Sequence, residues 1–517
     1  MAIASLNLSS RWVLYAASCL GIFAALLLKL TVQRRASKLP PGPKGSFLAG
    51  IPDSVLRVEP WKMYHRWSEH YQSQIISFRT HTRLIIVLNS RTAILDLLNK
   101  RLNIYSDRPQ SWMYNELCGR GKSVFNVSSS PEDMERHRTY RKLLQLGLGS
   151  GATRGYKDLL EEQARGMLRR LESEPRKYET HVRRNATAVI MKLAYGYTIA
   201  ENDASDFFVG AAEEASRISG WAMAPGRWLV DSFPFLRFVP SWVPGAHFQT
   251  QGKIWRDRLS ALSSMPHEWT RKQMESGTYL DSFTSQLIRP GGPGTEFVGS
   301  NMEDIVKWCA GGLYAGAADT TVSAILSFIL LMSLYPSVQR SVQDEIDDVI
   351  GDARLPSNDD LGKLHKLEAV LKEVLRFAPI APLALPHRLT EDDYYAGYHL
   401  PKGATVIANV WSIMNDPTLY PSPSTFDPSR FVGSTPQQDP KVFSYGFGRR
   451  TCPGAHFSEP VMLISMASIL SRFDIVRLGV GKEAEVSFTS GITSRIKPFD
   501  VEFVRRLGTH QPVGDSE

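Results

Sequence analysis

Cysteine is scarce in this 517-residue chain. It has four, Cys19, Cys118, Cys309 and Cys452, widely separated and never paired as Cys-x-x-Cys. That spacing excludes a disulfide framework and a zinc knuckle. Dense lysine and arginine runs with interleaved aromatics are missing as well. The formal net charge of +8 therefore does not describe a nucleic-acid surface and fits a basic patch for an acidic partner. There is no internal repeat, and no low-complexity tract beyond one short proline-rich stretch. Length alone would allow two to four domains, but no composition break divides residues 46–505 into two cores. Hydrophobic content of 43% and charged content of 22% are ordinary for a globular protein.

The stretch Trp12–Leu28 carries no charge, and past Lys29 the apolar run reaches Val32. About 20 such residues are enough helix to cross a bilayer core. A cleaved signal peptide would have a shorter apolar core and a basic region in front of it. Here Lys29, Arg34, Arg35 and Lys38 follow instead. The segment reads as an uncleaved anchor with everything after it on the cytosolic side. The proline-rich LPPGPKG, residues 39–45, reads as a stiff hinge. The expected layout is an anchor at 1–33, a hinge at 34–45, a catalytic body at 46–505 and a polar tail at 506–517.

Within the body, QIISFR and RLIIVL read as a β-hairpin around His81 and Thr82. From Pro131 to Phe377 the pattern is mostly helical. The longest helix is expected to start at Ser300, where SNME offers a capping box with Glu303. It should run to Tyr335 and stop before Pro336, about 50 Å in all. A second helix covers Val338–Ile350 and ends at Gly351. A third carries LHKLEAVLKEVLRF, and short strands follow in YYAGYHLPKG and TVIANV. The fold class is mainly α with small β-sheets. On the third helix Leu364, Leu367, Leu371, Val374 and Leu375 share a stripe that Glu373 and Arg376 lie off, which reads as a surface ion pair. Gly311, Gly312 and Gly316 of the long helix indicate close approach, either of a flat group or of a neighbouring helix.

Residues 444–454 read SYGFGRRTCPG, and apolar residues at helical spacing follow. Cys452 therefore lies near a helix N-terminus, where free N–H groups and the dipole favour an anion. With Arg449 and Arg450 beside it, the thiol is expected to ionise. A thiolate there serves as a nucleophile, with His456 as base, or as a metal ligand. A buried structural cysteine would not explain the two glycines and two arginines.

YGFGRRTCPG resembles the haem-binding signature of the cytochrome P450 family. Gly448, Arg450, Cys452 and Gly454 fill their places, and Tyr445 stands where the family has phenylalanine. The resemblance covers about residues 40–505. It implies the cytochrome P450 fold preceded by one transmembrane helix, haem b as cofactor, and Cys452 as axial thiolate of the iron. It implies a structural triad of Glu373, Arg376 and the Arg430 of FDPSRF. GAADTT (316–321) matches the oxygen-activation motif, with Ala317 at the usual second glycine and Asp319 and Thr320 as the proton-delivery pair. HRTYRK (137–142) implies Arg141 on a haem propionate, with His137 in the usual tryptophan place. LPHR (385–388) implies His387 there too, with Arg388 as the alternative. By analogy, substrate contacts come from 111–126, 308–315, 380–385 and around Ile492.

These stretches are apolar and aromatic, so a hydrophobic small molecule is expected. The pattern, including FPFLRFVPSWVPGA (233–246), is most similar to fungal secondary-metabolism members. The implied protein is an endoplasmic-reticulum monooxygenase. Its electrons come from an NADPH-cytochrome P450 reductase docked near Lys142, Arg449 and Arg450, and no nucleic acid is involved. A haem-thiolate isomerase or dehydratase, or a non-catalytic haem sensor or carrier, is the competing reading. The acid–alcohol pair at 319–320 argues against both.

Overall fold

The computed structural model describes residues 38–506 apart from 47–48, 129, 201–205, 293–300, 352–353 and 479–485. The expected anchor, the start of the hinge, Ser300 and nearly all of the polar tail lie outside the described residues. The described part of the hinge does not stand free. Ser77 donates from its backbone N–H to the Pro41 carbonyl at 2.9 Å and from its hydroxyl to Pro40 at 2.6 Å. This segment is therefore laid along the sheet and belongs to the body.

The longer helices, in chain order, are α1 (Pro60–His70), α2 (Pro131–Leu148), α3 (Lys157–Ser173), α4 (Tyr178–Tyr195), α5 (Phe207–Ala222), α6 (His247–Glu275), α7 (Met302–Leu334), α8 (Pro336–Ile350), α9 (His365–Phe377) and α10 (Ala455–Arg472). The strands are β1 (Ile75–Thr80), β2 (Arg83–Leu88), β3 (His387–Arg388), β4 (Asp393–Tyr395), β5 (Tyr398–Leu400), β6 (Thr405–Ala408), β7 (Phe473–Arg477) and β8 (Val501–Arg505). The hairpin turns where expected, with His81 at φ 51°. A four-stranded sheet has the order β1-β2-β6-β3, with β2 and β6 parallel and the other pairs antiparallel.

Helix α7 is the axis of the molecule. It packs against α2, α4, α5, α6, α8, α9 and α10. From Thr321 to Met332 every side chain is buried, the pattern of a helix that is apolar all round and surrounded by protein. Among the described residues it alone is long and apolar enough to cross a bilayer, and that stretch is mostly buried inside the protein. It starts at Met302 with Asn301 as an N-cap that makes no side-chain bond, so the capping box expected at Ser300 falls outside the described residues. It stops at Leu334 because Pro336 opens α8. Helix α8 ends at Gly351, whose φ of 72° suits glycine.

Candidate active site

The segment before α10 is a tight loop docked on distant chain. Gly448 has φ 55°, and a Cβ there would stand 2.4 Å from the Leu98 carbonyl oxygen, so no other residue fits. Its N–H donates to Asn99 Oδ1 at 2.8 Å. The Cys452 N–H closes the loop on the Tyr445 carbonyl at 2.7 Å. The Tyr445 hydroxyl meets Ser458 Oγ at 3.2 Å. The extra oxygen at this aromatic position thus has a partner from the first turn of α10, and burial pushes its phenol pKa up.

Cys452 lies deep in the molecule and keeps accessible surface. Burial pushes its thiol up, while a hydrogen bond from Gly454 and the Arg141 guanidinium pull it down. The expectation that Arg449 and Arg450 ionise it is corrected. Arg449 turns to Asn103 Oδ1 at 2.5 Å, and Arg450 donates to the carbonyls of Ser106 and Val127 at 2.8 and 2.6 Å. Burial is the largest effect on the thiol here and opposes the helix terminus. A cation bound at the sulfur would deprotonate it.

Beside this loop the fold concentrates positive charge. Arg108, missed in the sequence, is buried and donates to the carbonyls of Phe125, Leu385 and Pro386 at 2.8–2.9 Å. Arg141 holds the Thr451 carbonyl at 2.5 Å. His387 Nδ1 bonds the Tyr105 carbonyl at 2.7 Å. Arg388, the alternative to it, is instead paired with Asp107. Burial, then Arg450, Arg141, Arg108 and Arg449, hold His137 down to about 3. Burial and Arg108 hold His387 down to about 3. Burial lowers Arg450 to about 10 even with Asp107 near it, and one of its terminal nitrogens is buried without a hydrogen bond. Arg108, Arg141 and Arg450 stand here with Asp107 as the carboxylate near them, and Asp107 is already paired with Arg388, so the cluster is short of negative charge. The residues present therefore fit a group carrying carboxylates beside a metal that takes sulfur.

On α7, Thr320 Oγ1 donates to the Gly316 carbonyl at 2.7 Å. Asp319 is 3% exposed and faces another way, toward α5 and the segment at 488–496. The glycines divide between the two readings. A Cβ on Gly311 would stand 2.7 Å from Ser263 Cβ of α6, which is helix–helix packing. Gly312 and Gly316 face Val124 and Phe125 at 3.0 and 3.2 Å. The flat neighbour of Gly316 in the structure is thus a phenylalanine ring. Among the four stretches expected to touch substrate, 111–126 meets 308–315 and 380–385 meets the segment around Ile492. Besides those two contacts, Arg120 stacks on Trp308 at 4.6 Å and the Ser494 N–H meets the Ile380 carbonyl at 2.7 Å.

Of the two readings of the α9 pair, the structure has the buried triad and not the surface pair. Glu373 and Arg376 are fully buried and joined by two bonds of 2.6 and 2.7 Å. Arg430 Nε approaches Glu373 at 3.5 Å. Arg376 donates to the carbonyls of Met414, Pro423 and Thr425, and Arg430 to those of Pro421, Ser422 and Thr425. The three side chains are the internal scaffold of the coil before the cysteine loop. Arg450 is likewise removed from the expected docking face, since it points inward, whereas Lys142 and Arg449 are exposed.

The sequence pattern of the cytochrome P450 family matches residues 40–503. Cytochrome P450 monooxygenase claR of Ampulloclitocybe clavipes is 36% identical over 94% of this chain and 90% of its own length. Cytochrome P450 monooxygenase 208 of Postia placenta is 37% identical over 93% of each chain. Tryptamine 4-monooxygenase of Psilocybe cyanescens is 35% identical over 91% of this chain and 94% of its own length. With the signature loop, the axial helix and the buried triad all in place across that span, the chain belongs to the cytochrome P450 family.

Proposed function

We propose that this cytochrome P450 monooxygenase holds haem b between Cys452 and the basic cluster and oxidises a hydrophobic small molecule of fungal secondary metabolism. The observation that carries it is the deep thiol with Arg141 beside it, next to a cluster of Arg108, Arg450, His137 and His387 whose nearby carboxylate, Asp107, is paired with Arg388. Haem, when bound, supplies dioxygen activation with electrons from an NADPH-dependent reductase. The protein's share is positional. Arg108, Arg141, Arg450, His137 and His387 hold the propionates, and Tyr445 and Gly448 shape the cysteine loop. Val124, Phe125 and Ile380 keep water from the reacting carbon. Thr320 and Asp319 pass protons inward from α7. Glu373, Arg376 and Arg430 keep the preceding coil folded and touch no substrate.

The wider assignment follows from the same reading. The apolar segment at 12–32 anchors the protein in the endoplasmic reticulum membrane. The reductase docks on the face carrying Lys142 and Arg449. One relative is named for oxidation of tryptamine, which puts aromatic amines among terpenoid, polyketide and alkaloid candidates. The deciding experiment is the reduced carbonyl spectrum. The protein should show the long-wavelength Soret band of thiolate ligation, and Cys452→Ala should lose it. A variant that keeps the band would overturn the assignment of Cys452. Expression with a reductase, followed by metabolite profiling, then identifies the substrate.

A further inference from the structure

Asp319 is a carboxylate in the middle of a buried helix, where an ion needs fixed partners. Two separate elements supply them to one oxygen. Ser216 Oγ of α5 donates to Asp319 Oδ2 at 2.8 Å, and Thr493 Oγ1 donates to the same atom. The two hydroxyl oxygens are 3.0 Å apart. The other oxygen, Oδ1, is buried without a hydrogen bond, and Arg495 Nη1 stands 3.6 Å from it. The carboxyl cannot swing without breaking both hydroxyl bonds, so its orientation follows the seating of α5 and the 488–496 segment. That segment is itself pinned, since the Ser494 N–H donates to the Ile380 carbonyl at 2.7 Å.

We propose that Ser216 and Thr493 are positioning residues for the acid of the acid–alcohol pair, an inference that rests on Asp319 delivering protons. Neither hydroxyl touches the reacting atoms. Together they hold Oδ2, leave Oδ1, which faces Arg495, as the oxygen that exchanges a proton, and tie that choice to the seating of α5 and the 488–496 segment.

The test uses the full-length holoenzyme with its reductase and tryptamine as the probe. It reads NADPH consumed and hydrogen peroxide released. A dioxygen that leaves as peroxide takes up one NADPH's two electrons and two protons, so peroxide per NADPH measures failed proton delivery whether or not the probe is hydroxylated. Asp319→Asn should raise that ratio about twofold or more. Ser216→Ala with Thr493→Val should match it, and each single variant should fall between. Ser216→Thr and Thr493→Ser, which keep the donors, should behave as wild type, which a packing role alone would not predict. The reduced carbonyl band confirms loading of each variant, and the single variants decide if the double one fails to fold. Should Asp319→Asn leave the ratio unchanged, the proton-delivery reading falls. Should Asp319→Asn raise it while the hydroxyl variants do not, the positioning inference falls and that reading stands.

Discussion

His137 stands among four arginines, Arg450, Arg141, Arg108 and Arg449, and they join burial in suppressing its charge. A neutral imidazole still donates one N–H, as an indole would, and a carboxylate beside it would restore the charged form. His137→Phe fills the space without a donor and forfeits a bond of about 1.5–3 kcal/mol. Transfer of haem from this variant to an apo-globin acceptor should therefore be about tenfold faster or more, and His137→Trp should hold haem as wild type does. Equal rates for the two variants would remove His137 from the binding set. The cysteine loop could be read from the sequence because Tyr445, Gly448, Arg450 and Cys452 sit at fixed spacing. Arg108, Ser216 and Thr493 could not. Each is a lone residue in its own segment, and only the fold brings it to the site.

Helix α7 shows which glycines are structural. Alanine at 311 would gain about 1 kcal/mol of helix propensity. Its Cβ would then press within 2.7 Å of Ser263 Cβ and 3.3 Å of its backbone Cα. Overpacking of this kind costs about 1–3 kcal/mol, so Gly311→Ala should lower the urea midpoint, and Ser263→Gly in the same chain should recover it. Gly316→Ala meets only the tip of the Phe125 ring, 3.2 Å away, which can turn aside, and should be close to neutral. A midpoint unchanged by Gly311→Ala would show that α6 and α7 do not lock there. Helix ends were legible from Pro336 and Gly351, which act locally. The burial of Glu373 and Arg376 came from the family resemblance and not from periodicity, because their cover comes from the carbonyls of Met414, Pro423 and Thr425. A periodicity argument sees only the helix itself.

For the molecule as a whole, buried histidines set the response to acid. His181 and His267 lie away from the basic cluster, and burial is the first cause holding both below their ordinary value. In the unfolded chain they take up protons near pH 6.5, whereas in the folded protein they resist. Their contribution is therefore fully present above about pH 6.5 and is lost as the pH falls below it. The urea midpoint should drop between pH 7.5 and 5.5. Neither ring nitrogen of His267 makes a close hydrogen bond, and Nε2 stands 3.5 Å from Glu303 Oε1, so His267→Leu should cost little at pH 7.5 and should flatten the acid slope. An unaltered slope would place the proton uptake elsewhere. The overall class, mainly helical with small sheets, was legible from periodicity, and the family loop added the topology that periodicity does not carry. The central sheet also imposes a schedule on synthesis. Asn89, at the end of β2, bonds Asn409, just past its parallel neighbour β6, and the two are 320 positions apart. At ordinary elongation rates the ribosome needs roughly fifteen seconds to a minute to cover that interval. Throughout it the apolar strand RLIIVL waits with one edge unpaired, which is the stretch a chaperone must cover while the chain is being made.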